Sequence, residues 1–263
     1  MKHFRFFFSN GKQRFRSFYA SLLCPQTCLL CGQQCRTGLP VCKRCIDTEF
    51  ICSINSRNSR TEAVAYYNTE RCRRCGKILI SEQEYCTRCR TEYVEGIADA
   101  SSACDRIFTL FPYIGLGQRL VPAWKNNSIR SFSAVFAPLV FRFLMQNPEL
   151  LGIPLVPVPP RPQKLREKGW DQIEDLVKAL TVFPQITVKR CLQRRDGTAQ
   201  KKLSKEERAV NLQGKISVSA KTVPDTLILL DDVMTTGATL EACAAALKQA
   251  GCKHVLGLCL FFD

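Results

Sequence analysis

The chain has 263 residues, 46% of them hydrophobic, enough for one sizeable core and a smaller second module. Lys and Arg outnumber Asp and Glu by 38 to 23, a formal net charge of +15 spread along the chain, which points to a polyanionic partner: nucleic acid, an anionic membrane surface or a phosphorylated ligand. No run of about 18 apolar residues exists and Phe6-Phe7-Phe8 is cut short by Ser9-Asn10-Gly11-Lys12, which argues against a transmembrane helix and a signal-peptide core.

Residues 1–23 form a basic, aromatic N-terminal extension. Residues 24–100 hold an internal repeat, in which Cys28, Cys31, Cys42 and Cys45 recur 44 positions on as Cys72, Cys75, Cys86 and Cys89. Glycine follows the second cysteine of each copy, at Gly32 and Gly76, and arginine precedes the fourth, at Arg44 and Arg88. Two Cys-x-x-Cys knuckles joined by a short hairpin supply four thiolates for a tetrahedral Zn²⁺, so the repeat predicts two structural four-cysteine zinc sites; the spacing fits both sequential and cross-braced pairing. Cys24 and Cys35 break the repeat and are read as bystanders. Of the 16 cysteines half lie in this metal-type spacing, which fits a reducing, cytoplasmic setting better than disulfide stapling. The polar stretch Ser53–Arg60 reads as a linker.

Residues 101–263 read as the larger, α/β domain. An apolar segment around Tyr113 and Gly115 and then Leu120–Lys125 lead to a Phe- and Leu-rich stretch, Phe132–Met145, that fits a buried helix. Ile153–Val158 reads as a strand, Arg161–Trp170 as a basic loop, and Asp171–Leu180 as a helix with Ile173, Leu176, Val177 and Leu180 on one face. Lys189–Arg208, with eight basic and three acidic residues, reads as a surface excursion. Thr226–Leu230 then fits a buried parallel strand, Leu240–Ala250 a helix capped by Gly251, and His254–Phe261 a further strand, together a βαβ unit.

Between that strand and helix lies Asp231-Asp232-Val233-Met234-Thr235-Thr236-Gly237-Ala238-Thr239. Adjacent carboxylates repel unless they meet hydroxyls or a cation, while hydroxyls and free N–H groups at a helix start attract phosphate. Plain helix capping explains either half alone, but the two together describe a sugar-phosphate cradle.

Leu227–Thr239 resembles the phosphoribosyl pyrophosphate motif of type I phosphoribosyltransferases. Adding the cysteine pairs, Val156-Pro157-Val158-Pro159 with its Arg166–Gly169 loop, and the segment carrying Gln200, Leu203, Ser204, Arg208 and Asn211, the chain resembles the ComF family of competence-associated proteins over about residues 24 to 263. The resemblance implies a type I phosphoribosyltransferase fold, a parallel-sheet core with flanking helices, preceded by a double zinc ribbon. It implies that Asp231 and Asp232 contact ribose hydroxyls directly or through Mg²⁺, that Thr235, Thr236, Gly237, Ala238 and Thr239 hold the 5′-phosphate, and that Arg161, Lys164, Arg166, Lys168 and Gly169 are candidates for pyrophosphate. Where the family shows Arg-Gly-aromatic-Asn, this chain has Lys168-Gly169-Trp170-Asp171, replacing a guanidinium by an ammonium and an amide by an acid.

The implied function is uptake or use of transforming DNA, with phosphoribosyl pyrophosphate as ligand, single-stranded DNA as a second partner and DNA-uptake proteins as associates. The basic stretches Lys189–Arg208, Arg71-Cys72-Arg73-Arg74 and Phe4–Phe18 suit contact with a nucleic-acid strand. The alternative is an active Mg²⁺-dependent phosphoribosyltransferase with a nitrogen acceptor in nucleotide metabolism.

Overall fold

The computed structural model describes residues 26–35, 38–51, 72, 76, 79, 81–87, 89–90, 103–195 and 214–262. The sequence candidates Cys24, Cys75, Arg71, Arg73, Arg74, the stretch 53–60 and the segment from Gln200 to Asn211 lie outside the described residues.

Strands β1 (Gln26–Thr27) and β2 (Gln34–Cys35) pair antiparallel and bracket the first knuckle. A short helix α1 (Lys43–Cys45) runs into a wide helical turn, Ile46–Ile51. Then follow β3 (Arg106–Pro112), α2 (Gln118–Lys125), α3 (Phe132–Gln146), β4 (Leu155–Pro157), α4 (Pro162–Lys168), α5 (Gln172–Leu180), β5 (Leu192–Arg194), β6 (Ile216–Val218), β7 (Thr226–Met234), α6 (Ala238–Gln249) and β8 (His254–Phe262).

The main sheet is parallel, in the order β3-β8-β7-β4, and Val188 adds a parallel bridge beyond β4. From β4 the chain passes through α4 and α5 to Val188 on one side, then returns to β7 on the other. The strand order therefore reverses between β4 and β7, and ligands of open α/β sheets bind at the carboxyl ends of strands at such a reversal. Pro157 pairs with Leu230, and the Val158 N–H donates to the Leu230 carbonyl at 3.0 Å, so the chain leaving β4 lies beside Asp231.

One sheet face packs on α2, α3 and α5 through Trp124, Phe132, Phe136, Val140 and Leu176; the other packs on α6 through Cys243, Ala244 and Leu247. The first cysteine module shares the former core, with Phe50 set edge-on to Phe111 at 5.0 Å. Among the described residues no helix is long and apolar enough to cross a membrane.

Three expectations are corrected. The Arg161–Trp170 segment is not a loop throughout: α4 starts with Pro162 in its first turn and ends at Gly169 in the left-handed region, φ 70°. It buries none of its residues, so no apolar period announced it. The strand expected to end at Leu230 continues to Met234 because β8 pairs with it as far as Phe262, and Asp231 and Asp232 are thus strand residues. The start of the Lys189–Arg208 excursion contains β5, which forms an antiparallel ribbon with β6.

Candidate functional site

Because successive residues of a strand face opposite sides, the two acids of β7 enter different surroundings. Asp232, 4% exposed, turns towards the α2 and α5 layer. Its Oδ1 meets Lys125 Nζ at 2.7 Å and its Oδ2 accepts from Gln172 Nε2. Gln172 Oε1 in turn accepts from Lys164 Nζ, which also lies 3.5 Å from Asp171 Oδ2. The network links α2, α4, α5 and β7 through side chains that are buried or half-buried. Breaking a buried ion pair by deleting one partner costs about 3–5 kcal/mol.

Asp231 lies instead towards Cys243 and Arg194, whose electrostatic surroundings include its carboxylate. Its Oδ1 accepts the Asp232 N–H at 2.8 Å. Burial, reinforced by the neighbouring Asp232 charge, pushes the Asp231 carboxyl up to about 7.

Beyond the acids, Thr235 and Thr236 are exposed and Gly237 adopts φ 77° immediately before α6. Thr236 Oγ1 accepts from the Ala238 N–H at 3.4 Å, and Thr239 follows in the first turn of α6. Hydroxyls and first-turn N–H groups thus gather at the carboxyl end of β7, an arrangement suited to a phosphate.

The second candidate group is divided by the structure. Arg161 and Arg166 are exposed on α4, whereas Lys164 is engaged by Gln172 and Asp171, and Lys168 Nζ donates to the Lys125 carbonyl at 2.6 Å. Asp171, where the family pattern has Asn, is the N-cap of α5: its Oδ1 accepts from the N–H groups of Ile173 at 2.9 Å and Glu174 at 3.2 Å. Asp and Asn cap equally well, so the departure preserves the helix start. Burial raises the Asp171 pKa and lowers that of Lys164, each opposed by attraction to the other.

Lys125 and Gln172 were not singled out by sequence reasoning. A lysine in the last turn of an amphipathic helix reads as an ordinary complement to the helix dipole, and Gln172 as a polar residue of a first turn. The one available signal for Gln172 was its place directly after a helix cap at the end of a basic segment.

In the cysteine module the Sγ atoms of Cys28, Cys31, Cys42 and Cys45 all lie within 4.8 Å of one another, and those of Cys72, Cys86 and Cys89 form a second such group. Among the described residues the pairing is therefore sequential within each repeat. Tetrahedral zinc–sulfur bonds of about 2.3 Å put thiolates about 3.8 Å apart, and Cys31 Sγ lies 3.7 Å from Cys42 Sγ. Gly32 N–H donates to the Cys28 carbonyl at 2.9 Å and Gly76 N–H to that of Cys72 at 2.9 Å, both glycines with positive φ. These bonds close the two knuckles and give the repeated glycine its physical reason.

Within the first group burial opposes ionisation, but N–H groups of Cys42, Cys31 and Leu30 bring the Cys28 thiol down to about 6. Burial and its sulfur neighbours drive Cys45 upward. Four thiolates gathered this closely need a compensating positive charge, and a dication fits the set. Cys35 lies against the group but outside it, its thiol pushed up to about 11 by burial and by Cys28. On α2, Arg119 Nη2 donates to the Leu29 and Leu30 carbonyls at 2.7 and 2.9 Å, tying the knuckle to the larger domain.

No family model matches the chain. It is 27% identical over 231 residues to the competence protein ComFC of Streptococcus pneumoniae, covering 87% of this chain and 96% of that protein. The likeness supports assignment to the ComF family. A parallel α/β sheet flanked by helices follows cysteine clusters that fit a zinc ribbon, so both halves of the sequence resemblance have a structural counterpart.

Proposed function

We propose that the chain is a competence factor that binds phosphoribosyl pyrophosphate in the crevice between β4 and β7 and holds single-stranded DNA on its basic surface, acting with DNA-uptake proteins in the cytoplasm. The observation that carries this reading is the strand reversal, which sets the Asp231–Thr239 segment beside the chain leaving β4 at the carboxyl edge of the sheet. The kinship with a competence protein supplies the biological setting.

In this reading Thr235, Thr236, Gly237, Ala238 and Thr239 receive the 5′-phosphate through hydroxyl and N–H donors. Asp231 accepts a ribose hydroxyl, while Asp232 braces the crevice from behind. Both Asp232 oxygens already hold Lys125 and Gln172, so a magnesium ion carried by the ligand fits Asp231; it neutralises pyrophosphate oxygens when bound. Arg161 and Arg166 supply exposed guanidinium groups to the same edge. Zinc, held by Cys28, Cys31, Cys42 and Cys45 and by Cys72, Cys86 and Cys89 together with Cys75, cross-links the knuckles and does no chemistry.

Calorimetric titration of zinc-loaded protein with phosphoribosyl pyrophosphate and Mg²⁺ tests the ligand. Binding by the wild type and its loss in Asp231→Ala/Thr236→Ala is the expected outcome; a flat wild-type isotherm overturns the claim.

One observation favours a catalytic version. With magnesium kept on the pyrophosphate oxygens and off Asp231, a carboxylate raised toward neutrality, as at Asp231, suits a general base. It would take the N–H proton of an acceptor as the new N–C1 bond forms and the C1–O bond to pyrophosphate breaks. Release of pyrophosphate on addition of nitrogenous bases is the readout, and its absence across purines and pyrimidines removes this version.

A further inference from the structure

We propose that Lys125 is the resident cation of the crevice, holding Asp232 in the place a divalent ion would otherwise take and leaving Asp231 as the acid that meets the ligand. The consequence for the ligand rests on the sugar-phosphate reading above; the role of the lysine does not.

Asp232 is buried, and a buried carboxylate needs compensating charge. Its neighbour Gln172 is neutral, and Lys164, hydrogen-bonded to Gln172, attracts the carboxylate from beyond direct contact. Lys125, 2.7 Å from Oδ1, is the one cation in direct contact with it among the described residues. Magnesium requires several oxygen ligands at about 2.1 Å in octahedral array, and here one carboxylate oxygen faces an ammonium and the other an amide.

Lys125 is also fixed by its backbone. It closes α2, whose Leu120, Val121 and Trp124 are buried in the core. Its carbonyl accepts from Lys168 Nζ at 2.6 Å. The Lys168 of the Lys-Gly-Trp-Asp sequence thus positions the residue that neutralises Asp232. The charge sits on an element outside the β7-α6-β8 unit, which explains why the motif Asp231–Thr239 alone does not disclose it.

Thermal melting with magnesium chloride and no organic ligand tests this. Mg²⁺ is expected to leave wild type and Lys125→Arg unchanged, to raise the melting temperature of Lys125→Gln by several degrees, and to lose that effect in Lys125→Gln/Asp232→Asn. Equal stabilisation of wild type and Lys125→Gln, or none of either, overturns the proposal. If Lys125→Gln does not fold, recovery of the fold in the double variant supports the pairing and continued failure overturns it. Titration of the wild type with phosphoribosyl pyrophosphate is run in parallel: no binding there sinks the sugar-phosphate reading while the magnesium result still decides the role of Lys125.

Discussion

Adjacent in sequence, Asp231 and Asp232 differ in what compensates them. Asp232 has a lysine and an amide in contact; half-buried Asp231 has one backbone N–H and a weaker attraction to Lys125, and desolvation together with the Asp232 charge pushes it to about 7, above the ordinary carboxylate value of 3.8. Between those values the folded chain binds more protons at this site than the unfolded chain does, so the associated stability is present at low pH and is lost as pH rises through about 7. Asp231→Asn removes the penalty. Its melting temperature relative to wild type is therefore expected to improve progressively from pH 5 to pH 8, and a pH-independent difference contradicts the assignment. The adjacent acids were conspicuous in sequence, but their unequal surroundings were not legible, since these depend on which layer each side of β7 faces.

At the scale of elements, the cysteine repeat is the feature whose sequence and structure correspond most directly. The spacing of Cys28, Cys31, Cys42 and Cys45 returns as one sulfur cluster, and the offset between repeats returns as matching hydrogen bonds, Ile46 N–H to the Cys42 carbonyl and Arg90 N–H to that of Cys86. Helix α4 was illegible for the opposite reason: with no buried side chain, it leaves only Pro162 and Gly169 as boundary marks. Lys125 was illegible because its partner lies on a strand distant in sequence. The clusters predict two zinc ions per chain by elemental analysis, falling to one in Cys28→Ser. Since Cys28, Cys45 and Phe50 belong to the same apolar core as Phe111 and Phe136, stripping the first ion is expected to lower the melting temperature of the whole protein, by about 2 kcal/mol or more of lost stability for a structural site of this kind. An unchanged melting curve after complete zinc removal contradicts that coupling.

For the molecule as a whole, the excess of 38 basic over 23 acidic residues exceeds what one phosphorylated ligand can use. Filled four-thiolate sites reduce the positive charge without cancelling it. Arg44 and Arg90 are exposed on the cysteine module and Arg161 and Arg166 at the start and within α4, so positive groups occur on both parts of the chain. Binding of single-stranded DNA through such groups releases counterions, and the logarithm of affinity should fall linearly with the logarithm of salt concentration, by about 0.7 for each phosphate contacted. Phosphoribosyl pyrophosphate, which in the proposed reading is held by oriented hydroxyl and N–H donors, should instead respond chiefly to Mg²⁺. Fluorescence anisotropy with a labelled oligonucleotide, over a salt series and with saturating phosphoribosyl pyrophosphate as competitor, separates the two. A steep salt slope with no competition places the strand outside the crevice. Competition places it across the crevice rim, where Arg161 and Arg166 would serve both ligands. Affinity that is insensitive to salt contradicts the proposed electrostatic mode of DNA binding.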